Sequence, residues 1–276
     1  PLARAIAFEG ALASSRGLVD KFLKAAKLGD LVHVATDGET YGHHFKFGDL
    51  CLAHALEVEA KEAGFWITNY AQYLDRHPPE LEIEIDNGPD GEGTSWSCVH
   101  GVRRWSTDCG CHTLGEPGWN QSWRHPLRKA LNFLRDDAAV KFESAAGELL
   151  RDPWAARNDY ISVMLDQHTR SAFFNQHAVS TLNAQEESRA LMLLEMQRSA
   201  LLMFTSCGWF FSDLAGIETI QVMRYAGRVI DLLDQLNLDP PRKRFLELLS
   251  EAKSNRPEKG TGADIFRHFA ARSAVL

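Results

Sequence analysis

Apolar positions recur at two different spacings along this chain, and the change of spacing divides it. Within residues 14–29, Leu18, Phe22, Leu23 and Ala26 fall on one helical face. Ser14 or Ser15 supplies the cap that starts this helix and Gly29 ends it. Residues 31–36, Leu-Val-His-Val-Ala-Thr, form a short apolar run, the pattern of a buried parallel strand. A second helix is expected over residues 49–63, with Leu50, Ala53, Leu56 and Ala60 inward and Gly64 as its C-terminal stop. Residues 65–68 read as another strand, followed by a short helix that stops at Pro78-Pro79. This helix–strand alternation predicts, for residues 1–86, the closing units of an α/β barrel or a doubly wound sheet.

The periodicity then lapses. Residues 87–122 hold seven of the 20 glycines and three of the 7 tryptophans, with Trp123 just beyond. So long a stretch without regular pattern is functional or disordered. Its tryptophans argue for an ordered functional loop, because disordered segments are poor in aromatics. From residue 123 onward the pattern is helical. Leu127, Leu131 and Leu134 mark one helix; Leu191, Leu194, Leu201 and Leu202 mark another; Val222, Ala226, Ile230 and Leu233 mark a third. Pro240-Pro241 precedes a further helix over residues 242–252, and the polar residues 251–262 read as a linker to a last helix. The division is therefore 1–86, an α/β region; 87–122, a Gly/Trp-rich loop; and 123–276, a helical bundle, the whole being predominantly helical.

Composition narrows the function classes. The net charge is -7, which argues against a nucleic-acid partner, since such proteins carry a basic face. No run of apolar residues reaches membrane-spanning length, so no membrane partner is expected. The chain opens on Pro1 with no signal-type segment, and is read as a piece of a longer polypeptide whose N-terminal region is missing. Five cysteines without a secretion signal imply reduced thiols and a cytoplasmic location.

The densest chemistry follows the first strand pattern: Thr36-Asp37-Gly38-Glu39-Thr40-Tyr41-Gly42-His43-His44. Polar groups at the carboxyl end of a parallel strand occupy the place where α/β folds keep their active sites. Gly38 and Gly42 allow a sharp exit that turns Asp37 outward. The competing reading is that Asp37 caps the next helix. An Asp, a Glu, a Tyr and two His within eight residues favour a site.

The segment His33-Val34-Ala35-Thr36-Asp37-Gly38-Glu39-Thr40-Tyr41-Gly42 resembles the fourth signature region of glycoside hydrolase family 57, an Asp-Gly-Glu-x-aromatic-Gly run after a late barrel strand. Later pieces are similar in the same order. Ile67-Thr68-Asn69 through Tyr73-Leu74 to Pro78-Pro79 is similar to the segment before the substrate-side loop. Thr94-Ser95-Trp96 with Trp105 is similar to that loop itself. Thr205-Ser206-Cys207-Gly208-Trp209-Phe210-Phe211 with Tyr225-Ala226 is similar to the helical C-terminal region. The Cys-Gly-Cys-His and Glu-Pro-Gly-Trp-Asn-Gln runs depart from the family pattern and mark a divergent branch. The resemblance implies an incomplete (β/α)7 barrel followed by helices, and retaining chemistry on α-glucans, hydrolytic or transferring. Asp37 matches the general acid/base, which protonates the departing glycosidic oxygen and then deprotonates the incoming water or sugar hydroxyl. The nucleophile, a glutamate on an earlier strand, has no counterpart placed here, so the fragment alone is expected to be inactive.

Glu39, Tyr41, His43, Trp96 and Trp105 are the substrate-binding candidates, and an oligosaccharide or polysaccharide is the expected partner. Glu39 would orient its neighbours, and the indole rings offer apolar faces to sugar rings. For the tryptophans the alternative is that they pin the loop to the helices. Trp209, Phe210 and Phe211 read as core. Cys98, His100, Cys109, Cys111 and His112 lie within fifteen residues, but Cys-x10-Cys-x-Cys does not match paired Cys-x2-4-Cys zinc knuckles. Loop thiols are the leading reading, a metal the alternative; no metal and no cofactor is assigned. Two rival functions remain: a metal-dependent, deacetylase-like hydrolase using Asp37, His43 and His44, and a non-catalytic carbohydrate-binding or interaction module.

Overall fold

The computed structural model, described for residues 2–88, 91–95, 97–113 and 115–270, is helical, with 61% of residues in helices. It forms two compact units, Pro1–Gly101 and Val102–Leu276.

In the first unit α1 (Leu2–Phe8) and α2 (Ser15–Ala25) precede an extended stretch. Ser14 caps α2, its hydroxyl accepting from the Gly17 N–H at 3.0 Å. The face α2 buries is Leu18, Val19 and Phe22; Leu23, expected inside, is exposed. α3 (Gly48–His54) continues through a π-turn, Ala55–Glu59, into α4 (Ala60–Glu62), and α5 (Tyr70–Arg76) follows. The π-turn corrects the expected helical register. Widening one turn puts residues five apart on a common face. Ala55 and Ala60 are therefore both buried, while Leu50 is 61% exposed and Ala53 lies outside. Gly64 does end the helix, at φ 87°. Together with Ile6, Leu12 and the buried face of α2, Ala55 and Ala60 form the small core of this unit.

The two expected strands do not form. Residues 31–36 and 65–68 are unpaired, and the described residues contain only isolated bridges: Tyr41–Phe45, Leu150–Ala178 and Lys253–Thr261. A strand exists through hydrogen bonds to a neighbouring strand, and an apolar run does not specify that neighbour. Here Val32, Val34 and Phe65 pack against the core of the unit instead. Among the described residues the first unit thus shows helices and turns and no sheet, while the expected helical bundle is present.

The second unit is that bundle. It comprises α6 (Arg124–Ala146), α7 (Pro153–Asp159), α8 (Ile161–Leu165), α9 (Arg170–His177), α10 (Ala184–Leu202), α11 (Cys207–Phe210), α12 (Ile217–Gln235), α13 (Arg242–Leu249) and α14 (Gly262–Ile265). α10 packs against both α6 and α12, and α13 lies on α6. Leu127, Leu131 and Leu134 meet Leu193, Leu194, Val222, Ala226, Ile230 and Leu233 in one continuous core. α10 starts on a capping box: Asn183 accepts from the Glu186 N–H while Glu186 accepts from the Asn183 N–H. Residues 251–262 are not a free linker. The buried Asp213 carboxylate accepts from the Asn255 N–H at 2.7 Å and from the Ser254 hydroxyl at 2.9 Å, and Phe266 beyond is buried against Phe245.

Candidate functional site

Asp37 leads into a 3-10 turn, Gly38–Thr40, and its side chain makes no capping bond. The capping alternative is therefore not realised, and the carboxylate faces solvent. What shapes the turn is its backbone. The N–H groups of Thr40 and Tyr41 donate to the carbonyls of Asp37 and Gly38 at 3.1 Å. The chain then folds back, His44 N–H to Glu39 O at 2.9 Å, Phe45 N–H to Thr40 O at 3.2 Å and Gly42 N–H to Phe45 O at 3.1 Å. Gly42 sits at φ 121°, a conformation that side chains disfavour. Thr40 is buried, and the Tyr41 hydroxyl lies 2.8 Å from the Thr36 Oγ1, tying the turn to the extended segment before it. The product is a fixed polar turn with Asp37, Glu39, His43 and His44 exposed and Tyr41 half-buried.

His43 and His44 meet edge to face with ring centroids 5.0 Å apart. Among the described residues, Asp37 and these two histidines do not converge as a metal-ligand set. In the same unit Ser15, His54 and Glu59 approach one another: the Ser15 hydroxyl lies 3.1 Å from His54 Nδ1, and Glu59 Oε1 lies 3.8 Å from the same nitrogen. A nucleophilic triad needs serine and carboxylate on opposite ring nitrogens, so this trio lacks that arrangement.

The tryptophans fall into different roles. Trp96 lies outside the described residues. Trp105 ends the turn Gly101–Trp105 in the second unit, half-buried against that unit's core, and its carbonyl accepts from Arg128 at 3.2 Å. Trp119 is half-buried beside the Arg256 guanidinium. Trp123 and Trp209 are core. Sequence reasoning missed two buried arginines here. Arg104 and Arg124 both donate to the Phe210 carbonyl, at 3.3 and 3.1 Å, and the Arg104 guanidinium lies 3.9 Å from the centre of the Phe210 ring. Nothing in a local pattern marks them, because the carbonyl that holds them lies 106 and 86 residues away in sequence.

A second chemical grouping occupies the loop on either side of the turn Gly101–Trp105. Cys98, His100, Cys109 and Cys111 each offer one ligand atom, and these four atoms lie within 4.8 Å of one another. Cys98 is buried, His100 exposed and the other two half-buried. His112, grouped with them in the sequence, is not a member.

Residues 119–276, more than half of the chain, match the model of the domain of unknown function DUF3536. The chain belongs to the DUF3536 family. The matched region contains all of α6 to α14, so family membership rests on the bundle rather than on the Asp37 turn. No curated protein and no solved structure matches the chain. No helix of the described residues is long and apolar enough to cross a membrane.

Proposed function

We propose that this chain is the C-terminal part of a retaining glycoside hydrolase or transglycosidase of the family 57 kind, acting on α-glucans in the cytoplasm, with Asp37 as general acid/base. The observation that carries the reading is the order of two features. An Asp-Gly-Glu-x-aromatic-Gly turn stands upstream of a DUF3536 bundle, a domain associated with the C-terminal regions of family 57 enzymes. The geometry of the turn is compatible with the role. A general acid must present its carboxyl to the glycosidic oxygen, and the Asp37 carboxylate is exposed and is not taken up as a cap. Glu39, Tyr41 and His43, on the same turn, would contact the sugar at that point. Retaining chemistry also needs a nucleophilic carboxylate about 5–5.5 Å from the acid/base; in this proposal a glutamate in another part of the complete polypeptide supplies it. A metal-dependent hydrolase is less well supported, because no ligand set gathers around Asp37 among the described residues.

The test is chromatography of products after the complete polypeptide, and its Asp37→Asn variant, meet malto-oligosaccharides. The expected result is shortening or redistribution of the chains by the parent and a loss of roughly 10²–10⁴-fold in the variant. Unchanged sugars with both proteins, accompanied by retained sugar binding, would replace this reading with a carbohydrate-binding module.

A further inference from the structure

We propose that Cys98, His100, Cys109 and Cys111 form a four-coordinate zinc site that fastens the loop around the turn Gly101–Trp105. Three sulfurs and one imidazole nitrogen lie mutually within 4.8 Å, and Cys98 Sγ is 3.7 Å from His100 Nδ1. Zinc with Zn–S of about 2.3 Å and Zn–N of about 2.0–2.1 Å holds its ligands tetrahedrally. That geometry sets S···S edges at about 3.8 Å and S···N edges at about 3.6 Å. The observed separations need only a small contraction to reach these edges. A two-iron cluster would hold its two ligand pairs further apart than a single ion does.

The loop is built to bring these residues together. They are two i, i+2 pairs, Cys98 with His100 and Cys109 with Cys111, separated by a helical turn. The first pair lies in a turn closed by Gly101 N–H donating to Cys98 O at 3.2 Å. Gly101 has φ 65°, and a Cβ there would meet the Gly93 carbonyl at 2.5 Å, so only glycine fits. The second pair flanks Gly110 at φ 79°, whose N–H donates to the Asp108 carboxylate at 3.1 Å. Each ligand pair is thus set by a local turn that includes a left-handed glycine.

The donor set selects the metal. Three thiolates and an imidazole suit zinc and disfavour magnesium, calcium and manganese, which take oxygen ligands. Four protein ligands fill the coordination shell and leave no position for a reactive water, so the ion's role is structural. It would order a segment rich in glycine that also carries Trp105. The proposal is independent of the role given to Asp37.

The chain purified reduced, without an affinity tag or chelator, is analysed for metal and then titrated with Co(II) as a spectroscopic substitute. The expected result is about one zinc per chain, filling one four-ligand site. Co(II) should give the intense thiolate-to-metal band and the visible bands of tetrahedral cobalt. Cys98→Ser with Cys111→Ser should abolish that band. Because Cys98 is buried, His100→Ala at the exposed ligand serves as the second variant. It should keep the helical circular dichroism and weaken Co(II) binding by at least about 10-fold, no less than the loss of an outer-shell partner costs. The proposal is overturned if the wild type takes up no more zinc or Co(II) than a chain lacking all four ligands, or if the cysteines are recovered as a disulfide without metal.

Discussion

The two units handle their apolar residues in opposite ways. In Val102–Leu276 the long helices present stripes of several turns, and Leu127, Leu131, Leu134, Leu193, Val222, Met223, Ala226 and Leu232 are all fully buried. In Pro1–Gly101 α1, α3 and α5 are seven residues long, and Leu50, Trp66, Ile67, Leu81, Ile83 and Ile85 are exposed. A seven-residue helix makes barely two turns and offers a short stripe, so a unit made of such pieces closes a small core. The Asp37 turn, in the first unit, is an exposed polar loop held by its own backbone hydrogen bonds, where a reacting group can be both fixed and accessible.

The contrast is sharpest in stability. Trp209 is completely buried, packed against Phe204, and Trp209→Ala should cost roughly 3–5 kcal/mol in denaturant unfolding. Leu50, although an apolar residue on a helix, should lose no more than about 0.5 kcal/mol on replacement by alanine. Similar losses at the two positions would erase the distinction between the units.

Next in size is the contact that keeps residues 251–262 within the bundle. Asp213→Ala removes an acceptor shared by Ser254, Asn255 and Ala215, and should cost roughly 2–3 kcal/mol. Amide exchange should rise first at Asn255, whose N–H loses its partner. Unchanged protection there would mean the segment is held by its apolar anchors alone.

The smallest effect concerns the thiols of the two units. Burial, and then the nearby Glu59 carboxylate, raise the Cys51 pKa above its ordinary value. Less thiolate is therefore present at neutral pH, and Cys51 should alkylate more slowly than the exposed Cys207. Glu59→Gln removes the negative charge, lowers the Cys51 pKa and should speed its reaction several-fold, read by mass spectrometry of a timed alkylation. A rate insensitive to that substitution would assign the slow reaction to burial alone.

How much of this was legible follows from whether the deciding partner is local. The stripe Val222, Ala226, Ile230, Leu233 was readable because one regular helix carries it, and all four residues are buried. The same template failed over residues 49–63, since the π-turn changes the period and a single sequence gives no sign of it. Residues 31–36 and 65–68 carry strand patterns without a partner strand, and the alternating Leu81-Glu82-Ile83-Glu84-Ile85 is likewise exposed and unpaired among the described residues. Asp213 could not be linked to Ser254 and Asn255 from about forty residues away. At the candidate site, the glycine-flanked polar turn was visible, and its lack of a side-chain cap was not. The Cys and His residues were visible as two i, i+2 pairs, but their spacing gave no sign that four of their ligand atoms come within 4.8 Å of one another.

The central claim is the role of Asp37, and chemical rescue tests it most directly. The complete polypeptide carrying Asp37→Ala, given an activated α-glucoside with a good leaving group, would form its glycosyl-enzyme intermediate and then stall for want of a base. Added azide needs no base. The account predicts that azide restores turnover and yields a glycosyl azide of retained configuration. A variant that stays inactive in azide while its fold and sugar binding are intact, or that was never impaired, would contradict the assignment of Asp37 as the acid/base.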